Sequence, residues 1–114
     1  MKDFMLIYRA DYSSMIDRSP EEREAMTKRY MDWINNIAGK DKLVDMGNRL
    51  ALTGKVVSAG NVITNGPYTE VKEFIGGYSM IKAESYEEAV ELLKGSPVFE
   101  LNGKIEVREI SYIK

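Results

Sequence analysis

Cysteine and histidine are both absent from the sequence. Without cysteine there is no disulfide framework, no thiol nucleophile and no thiolate metal site. Without histidine there is no Ser-His-Asp triad and no imidazole ligand for zinc or iron. Only hard oxygen ligands are left for a metal, and no carboxylate spacing resembles a calcium loop, so neither metal nor cofactor is expected. Other signatures are missing too. Ser79 stands in Gly77-Tyr78-Ser79-Met80, which is not a G-x-S-x-G elbow. Gly103-Lys104 has no partner glycine at the distance a phosphate-binding loop needs. Any catalysis falls to Glu, Asp, Lys, Arg, Tyr, Ser or Thr. The apolar run near the start, Phe4 to Tyr8, is too short for a signal core or a membrane span, so a cytoplasmic location without membrane contact is expected. Net charge is −2 with both signs interspersed. That leaves no basic stripe for direct nucleic-acid binding.

What is present describes one domain over residues 1–114, with 44% apolar and 30% charged residues. Residues 3–9 read as a strand, with Phe4, Leu6 and Tyr8 on one face and Met5 and Ile7 on the other. Ser19-Pro20-Glu21-Glu22 is a capping box with proline at the first helical position. Its helix is expected to run to about Ala38. Met26, Tyr30, Trp33 and Ile37 form one apolar stripe read as core, and Arg23, Glu24, Lys28 and Arg29 supply the wet side. A second strand falls within 43–52, where Gly47 and Asn48 mark a bulge or a bend. Lys55–Ser58 and Asn61–Thr64 read as a small hairpin turned at Gly60. Ser85-Tyr86-Glu87-Glu88 is a second capping box, opening a helix to Lys94 with Tyr86, Ala89, Val90 and Leu93 on its stripe. The last strand is expected over 103–112.

The least ordinary stretch is Asn65-Gly66-Pro67-Tyr68-Thr69-Glu70-Val71-Lys72-Glu73-Phe74-Ile75-Gly76-Gly77-Tyr78. Pro67 pushes Gly66 toward an extended conformation, so 65–68 reads as a rigid bend feeding a strand from about Glu70 to Lys82. Glu70 and Lys72 project from one face of it. Phe74, Tyr78 and Met80 are expected on one face and Ile75 and Ile81 on the other. By residue chemistry alone, Glu70 and Lys72 read as a solvated edge with a weak surface ion pair. Gly76 and Gly77 suit either a bulge that coils the strand or a close approach by a ligand.

This run resembles the signature of the DGPF branch of the YCII-related family. Gly66, Pro67, Glu70, Lys72, Glu73, Gly76, Gly77 and Tyr78 fit that signature, while Asn65 stands where the family has Asp and Tyr68 where it has Phe. The Asn65 change removes a carboxylate. The opening strand and Ile105-Glu106-Val107-Arg108 are also similar to the family's ends.

The element order is α+β: a ferredoxin-like β-α-β-β-α-β with a small hairpin insertion. Two helices cover one face of a sheet, yet the first and third main strands are apolar on both. A second copy packed sheet to sheet would cover the other face. The resemblance implies that assembly specifically: a homodimer forming a dimeric α+β barrel.

Glu106 and Arg108 share a face of the last strand. They read as a solvated face with cross-strand ion pairs, or, if that face points inward, as part of a site with Glu70, Lys72, Tyr8 and Tyr78. In that second reading Lys72 and Arg108, positioned by Glu70 and Glu106, accept a small anionic ligand such as a carboxylate near Tyr8 and Tyr78. The resemblance implies a small-molecule-binding or accessory domain, since DGPF-type proteins are associated with extracytoplasmic-function sigma factors. The alternative is a small cofactor-independent enzyme doing proton transfer on a carbonyl or carboxylate substrate, with Glu70 or Glu106 as base. The His-Asp pair ascribed to some YCII-related proteins has no counterpart here.

Overall fold

The computed structural model describes residues 1–11, 18–65 and 73–113. Its elements are β1 (Lys2–Asp11), α1 (Pro20–Gly39), β2 (Leu43–Arg49), β3 (Lys55–Ser58), β4 (Val62–Asn65), β5 (Glu73–Ala83), α2 (Tyr86–Leu92), a 3-10 turn (Pro97–Leu101) and β6 (Lys104–Glu109). Four strands form one antiparallel sheet in the order β2-β5-β1-β6, and β3 and β4 form a separate ladder. This is the ferredoxin-like α+β arrangement expected from the element order. No helix among the described residues is long and apolar enough to cross a membrane.

The two-residue period of β1 sets the layers. Phe4, Leu6, Tyr8 and Ala10 are buried. Residues opposite one another in a ladder share a face. Ile81 lies opposite Phe4, and Ser79 opposite Leu6, so both join this face, and both are buried. Val107 and Ile105 of β6, opposite Leu6 and Tyr8, extend it. The helices supply the cover: Trp33, Ile34 and Ile37 from α1, and Ala89 and Leu93 at α2, belong to the same core. Each large apolar side chain buried there contributes about 1.5–3 kcal/mol.

Both helices start at their capping serines. Ser19 Oγ accepts the Glu22 amide at 3.1 Å, and Ser85 Oγ accepts the Glu88 amide at 3.2 Å. The expected stripe of the second helix is only half realised, because two turns offer the core a single i, i+4 pair. That pair is Ala89 and Leu93, and Val90 is exposed. Tyr86 lies at the rim, its ring edge-on to Phe4 at 4.9 Å and its hydroxyl accepting the Glu109 amide at 2.8 Å.

The other face of the sheet carries no element of this chain among the described residues. The ladders place two rows across it: Asn48, Tyr78, Ile7, Glu106, then Asp45, Met80, Met5, Arg108. The expected grouping of Phe74 with Tyr78 and Met80 does not hold. Tyr8 pairs with Gly77 and Arg9 with Ile75, so Gly76 is an extra residue in β5. A one-residue bulge reverses the alternation beyond it. Phe74, opposite Ala10, therefore joins the buried face, and Ile75, opposite Arg9, the open one.

β2 is irregular where glycine was expected to break it. Its pairing with β5 shifts register on both sides of Asp45, and Gly47 has φ +73°. A Cβ on Gly47 would lie 1.7 Å from the Tyr78 carbonyl oxygen, so only glycine lets the strands approach there. β2 covers Leu43–Arg49, within the expected range 43–52.

Candidate functional site

The first half of α1 and the ends of three strands enclose a cleft of about 330 Å³. Tyr8 and Ala10 of β1, the Met46–Arg49 end of β2 and the two glycines of β5 contribute the sheet side. Met26, Thr27, Tyr30 and Met31 contribute the helix side, with Pro97 and Val98 completing the lining. The apolar stripe of α1 divides here. Trp33 and Ile37 are buried in the core, whereas Met26 and Tyr30 are half-buried and line the cleft. The reading of the whole stripe as core is therefore corrected for Met26, whereas Tyr30 packs against the core and also lines the cleft. A Cβ on Gly77 would come within 2.9 Å of the Asn48 carbonyl oxygen, so glycine at this position lets β2 close on β5 at the cleft floor.

A hydroxyl cluster lies at the inner end. Tyr8 donates to Ser79 Oγ at 2.7 Å, Ser79 donates to the Met46 carbonyl at 2.7 Å, and Tyr30 donates to the Tyr8 oxygen at 3.2 Å. All three hydroxyl hydrogens are thus used inside the protein. Burial pushes the Tyr8 phenol well above its ordinary range. Tyr8 is a neutral, committed donor here, not a base.

The charge lining the cleft is of one sign. Arg18, Arg23 and Arg49 contribute charge to the lining and no described Asp or Glu does, while Arg9 borders the cleft with its guanidinium turned to Glu106 on the open face. Arg9 is neutralised by Glu106, which receives two of its nitrogens at 2.9 Å. Arg18 lies 3.8 Å from Glu22. Arg49 Nη2 donates instead to Thr27 Oγ1 at 2.6 Å, and Thr27 Oγ1 donates to the Arg23 carbonyl at 2.9 Å. No described carboxylate pairs with Arg23 or Arg49. Guanidinium groups beside apolar walls, without counter-charge, suit a carboxylate or phosphate.

Of the six residues expected at a site, the four described ones divide between the two faces. Tyr8 lies on the helix-covered face and lines the cleft. Tyr78 and Glu106 flank Ile7 in one row of the open face, and Arg108 lies one row on, 3.7 Å from Glu106. The sheet separates Tyr8 from these three. Glu70 and Lys72 lie outside the described residues. No three acidic side chains among the described residues are placed to hold a metal ion.

A family model described as the YCII-related domain matches residues 1–114. The chain belongs to the YCII-related family. No curated protein matches it. In this YCII-related domain the residues assigned no site role from the sequence are Arg9, Arg49, Tyr30 and Ser79. Two of them carried a signal. Ser79 alternates with Ile81 on the core side of β5, where a lone hydroxyl needs a partner. Tyr30 brings a hydroxyl into an otherwise apolar stripe. Arg23, read as wet surface, is at the cleft.

Proposed function

We propose that this YCII-related domain, of the DGPF branch by its 65–78 signature, is a cytoplasmic homodimer that binds a small anionic molecule. The observation that carries the reading is the cleft whose charged lining is arginine with no described carboxylate. A site of this volume suits a small organic molecule, and a few convergent polar groups would orient it. The dimer packs its open faces together, covering Met5, Ile7, Ile75, Tyr78 and Met80. Tyr78, Glu106 and Arg108, joined by Glu70 and Lys72 of the signature, then form a second polar group between the sheets, able to take a small anion of their own. A sensing domain of this kind fits an accessory role beside an extracytoplasmic-function sigma factor. Proton-transfer catalysis needs a base within reach of the substrate. No described carboxylate lines the cleft and Tyr8 is committed to Ser79, which weighs for binding over turnover.

Ligands that bind only the native state raise the melting temperature. Small carboxylates and phosphate should therefore raise it saturably, whereas neutral analogues should not, and the compounds should be recovered unchanged by NMR. Conversion of a keto acid above the buffer rate would establish the enzyme reading instead. Absence of a shift with every anion would remove the binding reading. Arg108→Ala should weaken only an anion held between the sheets.

A further inference from the structure

The cleft has two chemically distinct parts, and together they narrow what it takes. We infer that its ligand is a monocarboxylate with an apolar body, its head bound by Arg49 and its body laid against Met26, Met31 and Met46. This rests on the anion-binding reading above and specifies the ligand class.

Arg49 carries the head-group argument. It reaches from the end of β2 to α1, where one nitrogen is fixed by Thr27 at 2.6 Å. Thr27 is itself oriented by its bond to the Arg23 carbonyl one turn back. A guanidinium has five N–H donors, so most of the Arg49 fork is uncommitted. It has no described carboxylate partner, and it is held from α1 before any ligand arrives. A cation oriented in advance loses less freedom on binding. A carboxylate is the planar group that accepts two parallel bonds from such a fork.

The methionines carry the body argument. Met26 and Met31 come from α1 and Met46 from β2, so unbranched, polarizable side chains line the cleft from both sides. Such side chains conform to aliphatic and aromatic bodies without a rigid shape requirement. The hydroxyls at the inner end do not compete for this part, since Tyr8, Tyr30 and Ser79 spend their hydrogens on one another and on Met46. A strongly polar body, such as a sugar or a polyol, would lose hydrogen bonds to water without replacement.

Titration calorimetry with butanoate, hexanoate, octanoate and octanamide tests the inference. Affinity should tighten by about fourfold per added methylene until the cleft is filled. Octanamide should bind at least about tenfold more weakly than octanoate, having lost a charge-assisted pair. Arg49→Ala should weaken octanoate by about tenfold or more, and Thr27→Val less but in the same direction. If Arg49→Ala does not fold, as judged by circular dichroism, Arg49→Lys and Thr27→Val carry the test. Acetate and phosphate binding as tightly as octanoate would overturn the amphipathic class and leave the anion-binding reading standing. Octanoate binding undiminished to folded Arg49→Ala and Thr27→Val would overturn the head-group assignment alone. Octanamide binding as tightly as octanoate would overturn both readings.

Discussion

Tyr8 of β1 and Ser79 of β5 are bound hydroxyl to hydroxyl at 2.7 Å, across the two central strands and beneath the helices. They are diagonal neighbours: Tyr8 lies opposite Gly77, and Ser79 opposite Leu6. A tyrosine is long enough for that reach, and glycine leaves the position opposite it free. Through the Met46 carbonyl the same thread continues to β2, so one polar path joins three strands inside an apolar layer.

Removing the middle of this thread should cost more than removing its end. Ser79→Ala strands the Tyr8 hydroxyl and the Met46 carbonyl, at about 1–3 kcal/mol. In Tyr8→Phe the Tyr30 hydroxyl remains 3.1 Å from Ser79, so the loss should be nearer about 1 kcal/mol. Urea midpoints should fall in that order at unchanged slope. Equal losses would show that Tyr30 does not substitute.

Alkaline pH provides a second handle on Tyr8. Burial, the largest influence, holds its phenol protonated above the ordinary value of 10.0. The unfolded chain releases this proton near pH 10.0 while the folded chain keeps it. Its contribution is therefore full below that pH and falls above it, by up to about 1.4 kcal/mol per pH unit. Urea midpoints between about pH 9 and about pH 11 should decline less steeply in Tyr8→Phe than in the parent. Parallel declines would mean that Tyr8 is not the group responsible.

Gly47 and Gly60 separate backbone strain from collision. Both have positive φ, +73° and +82°. A Cβ at Gly60 meets nothing within 4 Å, whereas at Gly47 it strikes the Tyr78 carbonyl. Gly60→Ala should cost about 1 kcal/mol, and Gly47→Ala several times that, because β2 must leave β5. Denaturant unfolding with comparable losses for the two would contradict the close approach of these strands.

Lys42 and Glu88 give an acid-side counterpart. The lysine bond is the largest influence on the Glu88 carboxyl and holds it below its ordinary value of 4.5. The stabilisation is present above that value and is lost as pH falls through the lowered one. Thermal midpoints of Lys42→Met should decline less steeply below pH 4.5 than those of the parent. A parallel acid limb would show that the pair contributes nothing to stability.

The open face makes its own prediction. Met80→Glu places a charge in the row of Met5 and Arg108. In sedimentation the parent should give about twice the chain mass at micromolar concentration and the variant a folded monomer. A monomeric parent would remove the dimer proposal.

The fold was legible because the strongest local signals agree with the tertiary arrangement. Two serine caps start both helices, and the β1 alternation assigns both faces. The bulge was not legible as to side: Gly76-Gly77 announced an irregularity, but which residue is extra depends on pairing with β1. The cleft escaped for a similar reason. Met26 and Tyr30 obey the same 3.6-residue period as Trp33 and Ile37, and periodicity marks a helix face without saying how far the sheet extends beneath it. Arg49 follows no pattern at all, because its partner Thr27 is 22 residues away on another element.

The extra residue at Gly76 acts on the pleat as a frameshift acts on a reading frame. Everything from Gly77 onward is read in one phase and everything before it in the other. Deleting Gly76 would leave a plain ladder, with Phe74 still opposite Ala10 under the helices and Ile75 still opposite Arg9 on the open face. A chain one residue shorter here would present the same faces without a bulge, whereas a chain of equal length paired without the bulge would turn Phe74 to the open face and Ile75 under the helices. In comparing relatives through this segment, the spacing between Phe74 and Gly77 is therefore as informative as the identity of any residue between them.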